Sequence, residues 1–297
     1  MTTAVERTRT DPRELILAMR PRQWSKNLLV LAAPMAAGQL SHPAVLVPSL
    51  LAATIFTIAS AGGYLLNDVC DIDSDQVHPD KRLRPVAAGT LDSQVAVRWG
   101  VGLALAAVAL AGLVDEELAL LMAAYSALTF AYGVRLKRVP GLELVIVASG
   151  FVLRPLAGAV AGEVPPSAWF LSVCCLGALT VAPGKRLVEL VRLGATAAEH
   201  RASLRHYSAP VLGRVQLTAA AAMGAAYLGW ALSRPAGSVR SLALLSALPL
   251  LAATTRVVLL NRRGEGGAPE DILRSDRTLQ MTAFSWLVLF AAGVLSG

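Results

Sequence analysis

The sequence predicts an all-α integral membrane protein of nine transmembrane helices with its N-terminus in the cytoplasm. Three observations carry this reading. Of 297 residues, 55% are hydrophobic and 16% charged, whereas soluble domains carry about 25% charged residues. The apolar residues gather into stretches of the length that crosses a bilayer. The basic residues crowd one set of connecting loops.

Taken in order, the segment 1–26 is polar and Arg-rich, with no apolar core followed by a small-residue cleavage site, so it reads as a cytoplasmic arm and not a signal peptide. The apolar stretches then fall near 27–41, 45–66, 94–113, 118–134, 142–162, 168–184, 210–232, 239–260 and 278–296. Residues 27–297 thus form one nine-helix membrane domain. Its outer connections are short, and two inner ones, near 67–93 and 185–209, are long; long loops in a compact bundle tend to carry function.

Orientation follows from charge. With the N-terminus inside, the inner segments hold 24 of the 27 Lys and Arg residues, and the outer side keeps only Arg234 and Arg240. The net charge of +7 is therefore concentrated on one face, which suits anionic lipid headgroups of the bilayer or a phosphate-bearing substrate. Nucleic acid is not an expected partner, and a homo-oligomer is compatible with the sequence. Cys70, Cys174 and Cys175 have neither disulfide-framework nor metal-ligand spacing. The Gly264–Gly267 stretch reads as a flexible inner loop without chemistry.

The chemistry concentrates after the second stretch, in Asn67-Asp68-Val69-Cys70-Asp71-Ile72-Asp73-Ser74-Asp75. If the helix continues through it, Asp68, Asp71 and Asp75 share one stripe, flanked by Asn67, while Asp73 points away and is a weaker candidate. Three carboxylates on one stripe repel unless a cation sits among them. Magnesium, a hard ion shared between one or two carboxylates and substrate phosphates, fits such a set. Lys81, Arg82 and Arg84 follow closely, so a magnesium-bound diphosphate is favoured over a bare cation.

These residues resemble the UbiA superfamily of intramembrane prenyltransferases, whose first signature is N-D-x-x-D-x-x-x-D followed by a basic segment ending in R-P. Asn67, Asp68, Asp71 and Asp75 match it, and Lys81, Arg82, Arg84 and Pro85 supply the tail. Tyr132, Arg135, Lys137 and Arg138 resemble the family's Y-x-x-x-K-R element, although positive-inside decoration explains the same cluster. The resemblance implies a UbiA-like bundle, a Mg2+ cofactor and an active site facing the cytoplasm from the plasma (inner) membrane.

The chain departs from the family pattern after the sixth stretch, where a second Asp-rich motif is expected. The loop instead reads Ala182-Pro183-Gly184-Lys185-Arg186-Leu187-Val188-Glu189-Leu190. On a helix Lys185, Glu189 and Arg192 share a face, either as a phosphate site or as a plain salt-bridge row. This departure, with Arg20 to Asn27 and Pro140 to Arg154, is similar to one branch of the superfamily. In that branch the donor is phosphoribosyl diphosphate and the acceptor a polyprenyl phosphate of cell-wall arabinan synthesis.

The resemblance then implies catalytic roles for Asp68, Asp71, Asp75, Lys81 and Lys185. Donor phosphates would meet Asn67, Arg82, Arg84, Tyr132, Arg135, Lys137, Arg138, Lys185, Arg186 and Glu189, and the lipid phosphate would meet Lys26 or Arg154. Arg154 is the only base well inside a stretch, and a buried guanidinium costs at least about 2.5–3.5 kcal/mol. It should pair with Glu143, Glu189 or a lipid phosphate. Two rivals remain: a UbiA-type prenyltransferase moving an isoprenoid to an aromatic acceptor, and a transporter or lipid-binding scaffold without chemistry.

Overall fold

A computed structural model describes residues 11–197, 202–267 and 269–296; the first ten residues of the expected arm and residues 198–201 of the second long inner loop lie outside the described residues. Every regular element among them is helical. The chain runs through α1 (Pro12–Ala18), a 3-10 helix (Pro21–Leu31), α2 (Ala32–Ala36), α3 (Pro43–Cys70), α4 (Ile72–Gln76), α5 (Ser93–Gly112) and α6 (Glu116–Val134). It continues through α7 (Leu142–Ala161), α8 (Ala168–Leu193), α9 (Ala209–Ser233), α10 (Ser238–Arg262), α11 (Pro269–Ser275) and α12 (Arg277–Leu295).

Eight of these helices, α3, α5 to α10 and α12, are long and apolar enough to cross a membrane, so the protein is a multi-pass membrane protein. Side-chain caps set several of their starts. Asp92 accepts from the amides of Gln94 and Val95, Asp115 from Leu118, Ser167 from Phe170 and Asp276 from Leu279, each satisfying donors that a helix start leaves open.

The first expected span, 27–41, differs. It forms the end of the 3-10 helix Pro21–Leu31 and the five-residue α2, not one long α-helix. Pro34 has no N–H to give the carbonyl of Val30, four residues back. That carbonyl instead lies against Gly158 of α7, where any Cβ would collide with it. The sequence separates an apolar stretch from a regular helix only by such details.

Successive long helices pack as neighbours, and α3 is the hub, touching α5, α6, α7 and the 3-10 helix. At its crossing with α5 the Gly62 and Gly100 backbones meet with no room for a side chain. Below that crossing, Phe56, Ala107, Leu118, Met122 and Ala157 form one apolar cluster linking α3, α5, α6 and α7. Large apolar residues such as Leu105, Phe130 and Phe284 stay exposed, as a lipid-facing surface requires.

Candidate functional site

The Asp-rich motif straddles a break. Helix α3 ends at Cys70, Asp71 takes the non-helical φ −107°, ψ 4°, and α4 restarts at Ile72. The expected single stripe of three carboxylates is therefore split. Asp68 and Asp75 are buried, at 1% and 2% exposure, and the Arg84 guanidinium lies 3.2 Å from one and 2.5 Å from the other. Asp71 is turned elsewhere, accepting from Asn67 at 3.1 Å and pairing with Lys137. Asp73 is exposed on α4.

A second guanidinium on Asp68 comes from Arg20, a residue of the Arg20 to Asn27 segment; the sequence assigns it no site role, because it lies 48 positions away. Arg20 also stacks over Tyr64, 5.0 Å from the ring centre. Helix α1 puts it there. Leu15, Ala18 and Met19 pack with Leu65, Val86 and Leu91, and Thr90 donates to Glu14 at 2.7 Å. Around this centre Lys81, Tyr132 and Lys137 are half-buried, while Arg82, Arg135 and Arg138 are exposed. Three carboxylates thus meet three bases, Arg20, Arg84 and Lys137.

The second inner segment is built differently from the expected phosphate site. Arg186 is 2% exposed and is held between Glu143, 3.2 Å away, and Glu189. Glu143 is wholly buried and also accepts from Ser203 at 2.8 Å. Arg192 donates to the carbonyls of Gly264 and Gly266 at 2.6 and 2.8 Å, which anchors that glycine loop. Lys185, Glu189 and Arg192 all lie on the unbroken helix α8, and Arg186 is a buried tie between α7 and α8. Lys185 is half-buried in the C-terminal part of α8. Nearby, the Tyr207 hydroxyl accepts from the Gly141 amide at 2.6 Å, and burial, followed by the Glu143 charge, pushes that phenol up.

Arg154 departs from its expected pairing as well. Glu143 and Glu189 are both taken by Arg186, and no carboxylate reaches Arg154 among the described residues. Its guanidinium donates to Asn27 at 2.9 Å and to the Gly150 carbonyl, and lies 4.8 Å from the Phe56 ring centre and 5.6 Å from that of Tyr125. Aromatic faces and amide oxygens stand in for the missing anion. Phe56 and Asp68 are twelve residues apart on α3, about 18 Å along the helix. Lys26 is half-buried one residue before Asn27.

Beyond Arg154, a cavity of about 450 Å³ opens between α2, α8, α9 and α12. Trp169, Phe170, Trp230, Trp286 and Phe290 line it, with Arg234 at its edge. Such a lining suits an apolar chain.

The pattern of the UbiA prenyltransferase family matches residues 27–288. The chain belongs to this family. A decaprenyl-phosphate phosphoribosyltransferase of Mycobacterium tuberculosis is 37% identical over 287 residues, covering 95% of each chain. One of Mycolicibacterium smegmatis is 38% identical over 94% of this chain and 92% of its own. A UbiA homologue from Archaeoglobus fulgidus, solved with DMAPP and Mg2+, superposes with a TM-score of 0.72 at 17% identity, covering 95% of this chain and 99% of that one. The protein is thus a membrane transferase with the UbiA fold.

Whether the UbiA-type metal fits can be judged from the residues themselves. No three His, Cys, Asp or Glu side chains converge as a ready ligand set among the described residues. Asp68 Oδ2 and Asn67 Oδ1, however, are buried without any hydrogen-bond partner, and an unsatisfied buried acceptor is costly. Orphaned oxygens on two consecutive residues of the motif are donors of the type that suits a hard cation taking its remaining ligands from substrate phosphates. The residues present fit one such ion. Among the described residues they offer no second carboxylate cluster; Glu143 and Glu189 both face Arg186.

Proposed function

We propose that the protein transfers the 5-phosphoribosyl group of phosphoribosyl diphosphate to a polyprenyl phosphate, decaprenyl phosphate being the named acceptor of its relatives. The products are polyprenylphosphoryl-5-phosphoribose and diphosphate, the former feeding cell-wall arabinan synthesis. The observation that carries this reading is the 35–38% identity to phosphoribosyltransferases over nearly the whole chain. The missing second acidic cluster supports it.

In this reading Asp68, with Asn67, Asp71 and Asp75, would hold a Mg2+ ion, which would supply charge neutralisation for the leaving diphosphate. Arg84 and Lys81 bind the diphosphate oxygens, assisted by Arg82. Lys185, Lys137, Tyr132, Arg135 and Arg138 surround the ribose 5-phosphate, and Lys26 holds the acceptor phosphate. The anomeric C–O bond to diphosphate breaks with its electron pair leaving on diphosphate, and a C–O bond to the lipid phosphate forms. The acceptor is already an anion near neutral pH, its second pKa being about 6, so no base is required, and positioning supplies the rate. Attack opposite the leaving group inverts the anomeric carbon. The isoprenoid runs past Arg154 towards the aromatic cavity.

We assign the site to the cytoplasmic face of the plasma membrane and count the Pro21–Leu31 and α2 run as a ninth crossing. At the 3-10 and α rises it extends about 30 Å, the thickness of a hydrocarbon core. The rival, an isoprenoid transfer from its diphosphate, draws on the solved homologue bound to DMAPP. Purified protein with Mg2+ is offered labelled phosphoribosyl diphosphate plus polyprenyl phosphate, or a prenyl diphosphate plus an aromatic acceptor. Lipid-linked product from the second pair alone would overturn the proposal.

A further inference from the structure

We propose that Arg20 is a diphosphate-binding residue held in reserve on Asp68, so that metal and diphosphate enter the site together and neither binds well alone. The inference rests on a diphosphate donor but not on which group that diphosphate carries.

Arg20 has φ 55° and ψ 65°, one of two non-glycine residues with positive φ among those described. It also precedes Pro21, a position that disfavours helical backbone angles of either kind. A residue is kept in such a conformation only when its surroundings over-determine it, and here they do. The Arg20 carbonyl accepts from Gln23 at 2.8 Å, Trp24 donates to the Met19 carbonyl at 3.0 Å, and α1 is pinned through Glu14 and Thr90. The backbone gains nothing from arginine at a site where glycine would be relaxed. What arginine adds is a guanidinium delivered to Asp68.

That delivery sets up a competition. Asp68 Oδ1 carries both Arg20 and Arg84, whereas its Oδ2 has no partner. Arg84 retains Asp75 if Asp68 is lost to a cation, but among the described residues Asp68 is the one carboxylate seen paired with Arg20. The cluster of Asp68, Asp71 and Asp75 is matched by Arg20, Arg84 and Lys137. A divalent cation alone leaves surplus positive charge there, and a diphosphate alone leaves surplus negative charge. Together they largely offset one another, with Arg20 passing from the carboxylate to a phosphate oxygen, for which its planar fork is suited. By linkage, each ligand then tightens the other by the same factor.

The test is Mn2+ binding to the full-length detergent-solubilised protein by electron paramagnetic resonance, with and without inorganic diphosphate, corrected for the Mn2+–diphosphate complex in solution. Wild type should bind Mn2+ at least about tenfold more tightly when diphosphate is present. Arg20→Gly, which removes the guanidinium and relaxes the backbone, should bind Mn2+ alone at least about threefold more tightly than wild type and lose most of that enhancement. Arg20→Lys, which keeps the charge, should restore part of it. An Arg20→Gly protein with wild-type Mn2+ affinity and wild-type enhancement overturns the proposal, as does weaker Mn2+ binding without diphosphate. Arg20→Gln, which removes the charge but keeps a long side chain, applies the same criterion if the glycine variant does not fold. Failure of the phosphoribosyl reading would appear separately, as coupling intact with diphosphate but no turnover of phosphoribosyl diphosphate.

Discussion

Arg186 and Glu143 meet 3.2 Å apart, both almost sealed from solvent, and join the first turn of α7 to the last third of α8. Where the family pattern would place acids for a second metal, this chain has a base that consumes the acids nearby. Removing one partner of a buried pair strands the other. Glu143→Gln should therefore destabilise the protein by about 3 kcal/mol, the low end for such losses because Glu189 still contacts Arg186. Thermal unfolding in detergent reads this directly. An Arg186→Met, Glu143→Gln double variant should recover much of the loss, and equal destabilisation in both would refute a mutual pairing.

Asp68 is the carboxylate on which two guanidiniums converge. Asp68→Ala should lower transfer by at least about a hundredfold, as loss of a charge-stabilising group does, while membrane insertion and yield stay at wild-type levels. Chelation of divalent ions should silence the wild type, and added Mg2+ should restore it. A well-inserted Asp68→Ala protein with normal turnover would remove the metal assignment.

Trp286 stacks on Phe290 and donates to the Tyr227 hydroxyl at 3.0 Å in the wall of the aromatic cavity. If the isoprenoid tail ends there, Trp286→Ala should raise KM for long polyprenyl phosphates several-fold and leave a short-chain acceptor unaffected. Acceptors of graded length measure the split. An equal change for all lengths would place the tail elsewhere.

Asp276 caps α12 and accepts from Arg256 at 2.7 Å. The Arg256 hydrogen bond, followed by the Leu279 amide, holds its carboxyl below the ordinary value. A carboxyl whose folded pKa is lowered contributes stability above its unfolded pKa and loses it as pH falls through the folded value. The Tm of Asp276→Asn should thus fall less than that of wild type between about pH 5 and pH 3. Parallel curves would show that the cap carries no proton linkage.

Much of this architecture is legible in the residues, because apolar length and charge asymmetry act locally along the chain. Helix α8 shows the limit. Its apolar stretch stops near 184, yet the helix runs to Leu193, since Arg186 and Glu189 neutralise each other within one turn. The Asp-rich motif was visible as a set of acids beside bases. Which base meets which acid was not, because Arg20 and Lys137 reach Asp68 and Asp71 from 48 and 66 positions away. The break at Asp71, which separates Asp71 from its two neighbours, leaves no mark on a helical wheel. Arg154 was identified as a buried base in need of a partner, but the partners, rings and amide oxygens, are ones that a search for opposite charge overlooks.

The eleven residues from Pro21 to Leu31 reach farther per residue than an α-helix would, at the expense of poorer hydrogen-bond geometry. Their amides should exchange with heavy water before those of α3 or α8. The segment carrying Arg20, Lys26 and Asn27 would then be the softest wall of the bundle. A bulky lipid forcing its way sideways towards the site would meet least resistance there.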